Sequence, residues 1–493
     1  MSVRLALRVL ERDVSSFSSS KVRRQLVTSL IAGMLFASPL ESSSAMDVFE
    51  TERMANPPGI SLPDKRQVPC VFGGLPDPLP LVEAVERILC HEPAVRQAWA
   101  QAIAQAAQVG IKRSAYLPRL DGQLGAGVGY SDVERSGGRG SNSGARRTRN
   151  GDMTLSWILF DFGRREASLS GAQQLLLAAN AHQQAVLQDT FFQAVQIYYQ
   201  AQAGRRRLTA SEQVLALARK NFEAADAKYK AGTVALSDQL QAQTALSRAN
   251  LRQVRERGEL EKLLGTMALR MGLTPNKSLR IENGSSTLPD TTFITSVDEL
   301  LAIARDEHPA LIAAQARVRA AEASVEESRA YGRPSIALTA NIRQAQNGQS
   351  TALGSDIRQN DRSIGLQLSI PLFHGFERTY QVRDAQARVT AGMADLADAR
   401  QRVSLDVWTY YQVLRTETQS LLRTAEIEDQ SRQALMVIRG RYQSGVGSMT
   451  ELLNAMSAFV DAQELHIDAL NGWQIARLGL ASSLGRLGFW TVE

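Results

Sequence analysis

The chain has 493 residues and a formal net charge of +6, and only 6% of it is aromatic. Its arginines are dispersed rather than gathered into a stripe, which gives nucleic-acid binding no footing. Long stretches rich in Ala, Gln, Leu and Arg with so few aromatics argue against a thick globular core and for long helices packed in thin layers.

The N-terminus reads as an export signal over 1–45. Lys21, Arg23 and Arg24 precede an apolar run from Leu26 to Ala37, and Ser43-Ser44-Ala45 supplies small residues for cleavage before Met46. That run is too short to span a bilayer, which leaves a buried N-terminal helix as the alternative. No cysteine follows it closely, which argues against a lipid anchor. Residues 46–80 form a strap in which prolines are concentrated, eight of the chain's fifteen lying before Leu81. Cys70 and Cys90 bracket Val71–Pro80 and, once exported, meet an oxidising compartment. We read them as a disulfide, with two free thiols as the alternative. Clustered partners for a metal are missing. His91 adjoins Cys90, but sequence neighbours on a helix do not face each other, so a catalytic thiol is a weak idea.

From Leu81 the chain makes one statement twice. Glu83, Pro93 and Pro118 match Glu299, Pro309 and Pro334, each pair 216 positions apart. Further on, Leu159-Phe160 matches Leu372-Phe373 and Tyr229-Lys-Ala-Gly232 matches Tyr442-Gln-Ser-Gly445, now 213 apart. A period this long is a duplicated half-protein rather than a solenoid. The halves are 81–275 and 297–488, with a linker at 276–296 and a tail at 489–493.

Within each half, alternation at period two follows the last matched proline. Leu120, Gly122, Leu124, Ala126, Val128 and Tyr130 alternate with Asp121, Gln123, Gly125, Gly127, Gly129 and Ser131. Met153, Leu155, Trp157 and Leu159 form a second apolar face, Ile336, Leu338, Ala340 and Ile342 a third, and Ile364, Leu366, Leu368 and Ile370 a fourth. Each run has the length and two-faced character of a transmembrane β-strand. The Gly/Ser/Arg-rich stretches Asp132–Gly151 and Gln344–Asp361 are expected to be surface loops. Four strands cannot close a barrel in lipid without leaving unpaired edges, so an oligomer must pool them, and three copies give twelve. A water-soluble hairpin packed on one side would alternate in the same way.

The rest reads as helix. No proline interrupts Arg119–Thr274 or Leu372–Glu493. Arg165–Lys230 alone would run roughly 100 Å. Leu215, Ala218, Phe222, Ala225 and Tyr229 repeat at alternating threes and fours, a coiled-coil seam matched by Leu435, Ile438 and Tyr442. Gly232 and Gly445 break these helices, and partners return from about Ala235 to Met271 and from Met449 to Leu487.

Across essentially all of Leu81–Gly488 the chain resembles the TolC family of outer-membrane channel-tunnels. The resemblance is carried by Leu159-Phe160-Asp161-Phe162-Gly163-Arg164, by Ser369-Ile370-Pro371-Leu372-Phe373-His374-Gly375, and by the tip turns with the Ala235-Leu236-Ser237-Asp238 and Met449-Thr450-Glu451-Leu452 that follow them. It implies an α+β membrane protein: a trimeric 12-stranded outer-membrane β-barrel, four strands per chain, continued by a long α-helical periplasmic tunnel. Within the family it is similar to channels that export calcium-binding repeat toxins such as cyclolysin. The implied function is type I protein secretion, with a periplasmic adaptor, an inner-membrane ABC transporter, an exported protein cargo and outer-membrane lipid as partners. A drug or metal efflux duct is the runner-up, and a periplasmic coiled-coil scaffold without a barrel is the reading from another class.

The family also implies a gate. An aspartate and a tyrosine that bond each other at the two turns match Asp238 and Tyr442. Glu451 fills one position of an acidic ring at the constriction, where Asn454 stands for an expected aspartate. Gly447 replaces an arginine that ties neighbouring protomers, which puts that latch in doubt. Asp238 and Glu451 are equally well placed as ordinary helix-start residues favoured by the helix dipole. Enzyme chemistry finds no candidates. The five histidines form no metal-ligand spacing and no phosphate loop appears, so neither catalysis, a metal nor a cofactor is expected.

Overall fold

The computed structural model describes residues 47–56, 60–61, 67–68, 70–133, 142–282, 296–349 and 356–488. The expected export signal and C-terminal tail lie outside the described residues, as do 283–295 of the linker and 134–141 and 350–355 of the expected loops. The chain divides into two units, Met1–Glu50 and Thr51–Glu493. Of the first, 47–50 form a turn in which the Glu50 amide donates to the Asp47 carbonyl at 3.1 Å. All that follows concerns the second.

Its strap contains a two-residue ladder, β1 (Ile60–Ser61) with β2 (Gln67–Val68). Then come α1 (Leu81–His91), α2 (Pro93–Ser114), β3 (Arg119–Val133), β4 (Asn142–Phe160), α3 (Arg164–Lys230) and α4 (Leu236–Arg270). The second half repeats them as α5 (Val297–Glu307), α6 (Pro309–Ala330), β5 (Ser335–Gln349), β6 (Asp356–Ser369), α7 (Glu377–Gln443) and α8 (Met449–Ser483). Corresponding helices have identical lengths of 11, 22, 67 and 35 residues, so the duplication holds element by element.

The strap is fastened to α1 by chemistry local to both. Cys70 and Cys90 are bonded, with their Cα atoms 5.7 Å apart. Arg87, paired with Glu83 one helical turn back, donates to the carbonyls of Gly73 and Gly74 at 3.1 Å each. Its guanidinium lies over the Phe72 ring at 4.9 Å. Replacing both cysteines by serine releases a loop of 20 residues, which is expected to cost up to about 3 kcal/mol. Non-reducing peptide mapping of the exported protein should recover Cys70 and Cys90 in one linked fragment, and the double serine variant should lose protease resistance in the strap.

Beyond the disulfide the strap enters the main core. The Leu79 amide donates to the Arg280 carbonyl at 2.6 Å, and Leu79 bridges Ile281 in parallel. Tyr198, midway along α3, donates its hydroxyl to the Leu79 carbonyl at 2.8 Å. Burial pushes that phenol up to about 12, so it remains a donor. Around it pack Ile88, Leu89, Phe191, Val195, Met267 and Met271, joining α1, α3 and the end of α4.

The four long strands form one antiparallel sheet in the order β3-β4-β5-β6. Its register lines up the apolar residues in rungs: Leu120, Leu155, Ala340 and Ile364 in one, and Trp157, Leu338 and Leu366 in another. Flanking the first of these, on the side away from the second, runs the polar rung Asp121, Thr154, Asn341 and Ser363, where Asn341 donates to Thr154 at 2.9 Å. The expected loops need correction. The ladder continues through Asn142–Gly151, Gln344–Gln349 and Asp356–Asp361, making strands of 15, 19, 15 and 14 residues. Polar side chains do not prevent backbone pairing. They only erase the alternation by which a half-buried strand is recognised.

At the sheet-to-helix junction the chain turns through two consecutive left-handed residues, Phe162 and Gly163 in the first half and Gly375 and Phe376 in the second. Arg165, just inside α3, ties this corner together. Its Nε donates to Asp161 at 3.0 Å, and its fork reaches the carbonyls of Ile158 (2.8 Å), Ala115 (3.2 Å) and Leu159 (3.3 Å). The guanidinium covers the Tyr116 ring at 4.6 Å, while Trp157 donates to the Tyr116 carbonyl at 2.9 Å. The matching Arg378 packs over Gly332 instead.

The two 67-residue helices differ sharply in burial: 21 residues of α3 are buried but only six of α7. Leu405, Trp408, Leu422, Ile427, Met436 and Val437 stand exposed on α7, as do Leu251 and Val254 on α4.

Candidate functional site: the tips of the helical hairpins

Both hairpins turn through the same device. After α3, the Gly232 amide donates to the Tyr229 carbonyl at 2.9 Å and Thr233 to Lys228 at 2.9 Å. After α7, Gly445 donates to Tyr442 at 3.2 Å and Val446 to Arg441 at 3.0 Å. Gly232 and Gly445 adopt φ of +72° and +83°, the left-handed cap for which glycine is suited. The turns therefore face their last helical residues in matching directions, and the two tyrosines hold matching positions.

Their surroundings do not match. Tyr442 is 3% exposed and Tyr229 is 38% exposed. The expected seam accordingly stops short of Tyr229. Val214, Ala218 and Ala225 of α3 are buried with Leu435, Tyr442, Met449, Leu452 and Met456, while Leu215 and Phe222 only flank the cluster. One reason is Lys228. Its ammonium donates to the Tyr442 carbonyl at 2.6 Å and sits 4.4 Å from the centroid of the same ring. It thus joins the end of α3 to the end of α7, across the two repeats. Asp226 braces the first turn from within, accepting from Lys230 at 2.7 Å and from Gln239 of α4 at 2.6 Å. Those donors hold its carboxyl below the usual range.

Asp238 and Tyr442 do not bond within the protomer. The Tyr442 hydroxyl is buried without a hydrogen-bond partner, and Asp238 has Ser237 as its near neighbour at 3.5 Å. Desolvation, then the charge of Asp238, raises the phenol's pKa, so the two are electrostatically coupled without contact. Glu451 completes a capping box: its amide donates to the Ser448 hydroxyl at 3.2 Å and its carboxylate accepts from the Ser448 amide at 3.4 Å. It remains exposed, with exposed Asn454 three residues on along the same face. Gly447 is a matter of space. A Cβ there would lie 3.0 Å from the Tyr442 nitrogen and 3.2 Å from the Arg441 carbonyl carbon, so any larger residue must move the turn.

The sequence reading missed Lys228 and Asp226. The available signal was a basic residue immediately before each tip tyrosine, Lys228-Tyr229 and Arg441-Tyr442.

A family model described as outer membrane efflux protein matches the chain twice, over residues 84–269 and 300–486. The chain belongs to the outer membrane efflux protein family. CyaE of Bordetella pertussis is 33% identical over 420 residues, which cover 85% of this chain and 86% of CyaE. The alkaline protease secretion protein AprF of Pseudomonas aeruginosa is 25% identical over 383 residues, covering 74% and 76% of the two chains. The fold is shared with the solved structure of CusC at a TM-score of 0.71 and 19% identity, over 83% of this chain and 92% of that one. The protein resides in the outer membrane. The family is one of ducts, and the tips described above are the far ends of that duct's helices.

Proposed function

We propose that this outer membrane efflux protein is a homotrimeric channel-tunnel for type I protein secretion. It is a passive duct engaged by an inner-membrane ABC transporter and a periplasmic adaptor, with a large repeat toxin as cargo. The observation that carries the trimer is the sheet: among the described residues β3 and β6 are each bonded along one side only. Free edges in lipid are prohibitively costly, and three copies pool twelve strands into an even-numbered barrel. The exposed apolar residues of α7 support the same assembly, since a neighbour's helices would cover them. The secretion reading is supported by the 33% identity to CyaE across both repeats and by the stated role of AprF. Small-molecule efflux is the second reading, favoured by the family's own description.

An export assay separates the two. With its cognate transporter and adaptor, a deletion strain carrying this gene should release the large cargo into the medium, with no change in drug susceptibility. Cargo retained in the cell, together with a gain of drug resistance, would reverse the assignment.

At the tips, three protomers bring three Glu451 carboxylates around one entrance, a ring that favours cations. Asp238, Asn454 and the turns at Tyr229, Gly232, Gly445 and Gly447 frame it. Glu451→Gln keeps the capping box, which accepts Glu or Gln, and removes the charge. Planar-bilayer recordings should therefore show lower cation selectivity at unchanged trimer yield. Unchanged selectivity would reduce Glu451 to a helix cap.

A further inference from the structure

We propose that Arg441 clamps Tyr229 of the partner subunit, repeating between protomers the Lys228–Tyr442 contact that each protomer makes within itself. The inference rests on the homotrimer reading. It starts from the offset of 213 positions between the repeats at the tips, which carries Lys228 onto Arg441 and Tyr229 onto Tyr442. Each half therefore holds a basic residue followed by a tyrosine on the last turn of a 67-residue helix. Within the protomer only one of the two possible contacts forms. Lys228 of the first half grips the carbonyl and ring of Tyr442 of the second, and that tyrosine is 3% exposed.

The complementary halves are left over. Tyr229 is 38% exposed and Arg441 is exposed. Neither side chain has a hydrogen bond, ion pair or ring contact among the described residues. The Tyr229 carbonyl takes the amides of Ala231 and Gly232, as the Tyr442 carbonyl takes those of Ser444 and Gly445. Lys228 adds a side-chain donor to the Tyr442 carbonyl. The Tyr229 carbonyl has no side-chain donor among the described residues.

A ring of three duplicated chains alternates first and second halves. Threefold symmetry sets each second half beside the next protomer's first half, and that seam is where the leftover Arg441 and Tyr229 are brought together. Such a head-to-tail contact closes under threefold symmetry. Arg441 suits the task, because a guanidinium can stack on an aromatic face while donating to an adjacent carbonyl. Gly447, beside the Arg441 backbone, offers no side chain for a tie between protomers, whereas Arg441 does.

Cross-linking the full chain in detergent tests this directly. With Cys70 and Cys90 oxidised and inert, Arg441→Cys combined with Tyr229→Cys should react with a short bismaleimide to give covalent dimers and trimers on a denaturing gel. Lys228→Cys combined with Tyr442→Cys should link within one chain and leave the monomer mass. If the Arg441→Cys/Tyr229→Cys protein has trimer mass before linking but yields no band above the monomer, the clamp is overturned and the trimer stands. Monomer mass for the unmodified protein overturns both. In bilayers, Arg441→Met should raise single-channel conductance severalfold and Arg441→Lys should restore it, since a lysine does this work at position 228. Equal conductance in Arg441→Met and the native trimer also overturns the clamp.

Discussion

Leu366→Arg is expected to abolish assembly in the outer membrane. Leu366 lies on β6 in the rung with Trp157 and Leu338, and is 70% exposed in the protomer. A charged residue on the lipid face costs up to about 2–4 kcal/mol, the full amount at the midplane. A trimer carries the substitution three times, so the penalty reaches roughly 6–12 kcal/mol at most, comparable to the whole stability of a typical domain. Gln367→Arg, one residue on and therefore on the opposite face, serves as the control and should assemble normally. The measurement is the amount of heat-modifiable trimer in the outer-membrane fraction. Equal yields of the two variants would mean that the apolar rungs do not meet lipid.

Arg165→Ala should be the most destabilising single truncation at the junction of sheet and helices. The Arg165 side chain is 11% exposed and that of Asp161 8%, so removing the guanidinium leaves a buried carboxylate with its counter-charge gone and the residue-165 amide as its remaining donor, and frees three carbonyls. Breaking a buried pair in this way costs about 3–5 kcal/mol. Arg165→Lys should recover little, because an ammonium cannot reproduce the planar fork that reaches Ile158, Ala115 and Leu159 together. Asp161→Asn with Arg165→Met should cost less than Arg165→Ala, since it leaves no unpaired charge behind. Thermal unfolding of the detergent-solubilised protein reports all three against the native chain. A midpoint for Arg165→Ala within a degree of native would remove this corner from the account of how the sheet is held to the helices.

The plan of elements was legible because each signal is local. Each 67-residue helix is legible as a proline-free stretch closed by a glycine in the left-handed cap, Gly232 after Arg164–Lys230 and Gly445 after Glu377–Gln443. The strands announce themselves wherever one face is apolar, as from Leu120 to Tyr130. Beyond that band the alternation vanishes while the backbone ladder continues, which is why Asn142–Gly151 read as loop and folds as strand.

The tips show where local reading ends. Tyr229 and Tyr442 stand in the same motif, and by sequence they are interchangeable. Only the packing of α3 against α7 and α8 buries one and leaves the other at the surface, and only that packing brings Lys228 to the Tyr442 carbonyl. Asp238 likewise acts on Tyr442 through charge rather than a bond, a distinction that no spacing encodes. By itself, then, the sequence determined the repeated series of helices and strands, because proline, glycine and periodicity act on the residues that carry them. Which of two identical motifs is covered, and by what, was decided by tertiary structure, because burial belongs to pairs of surfaces rather than to either one alone.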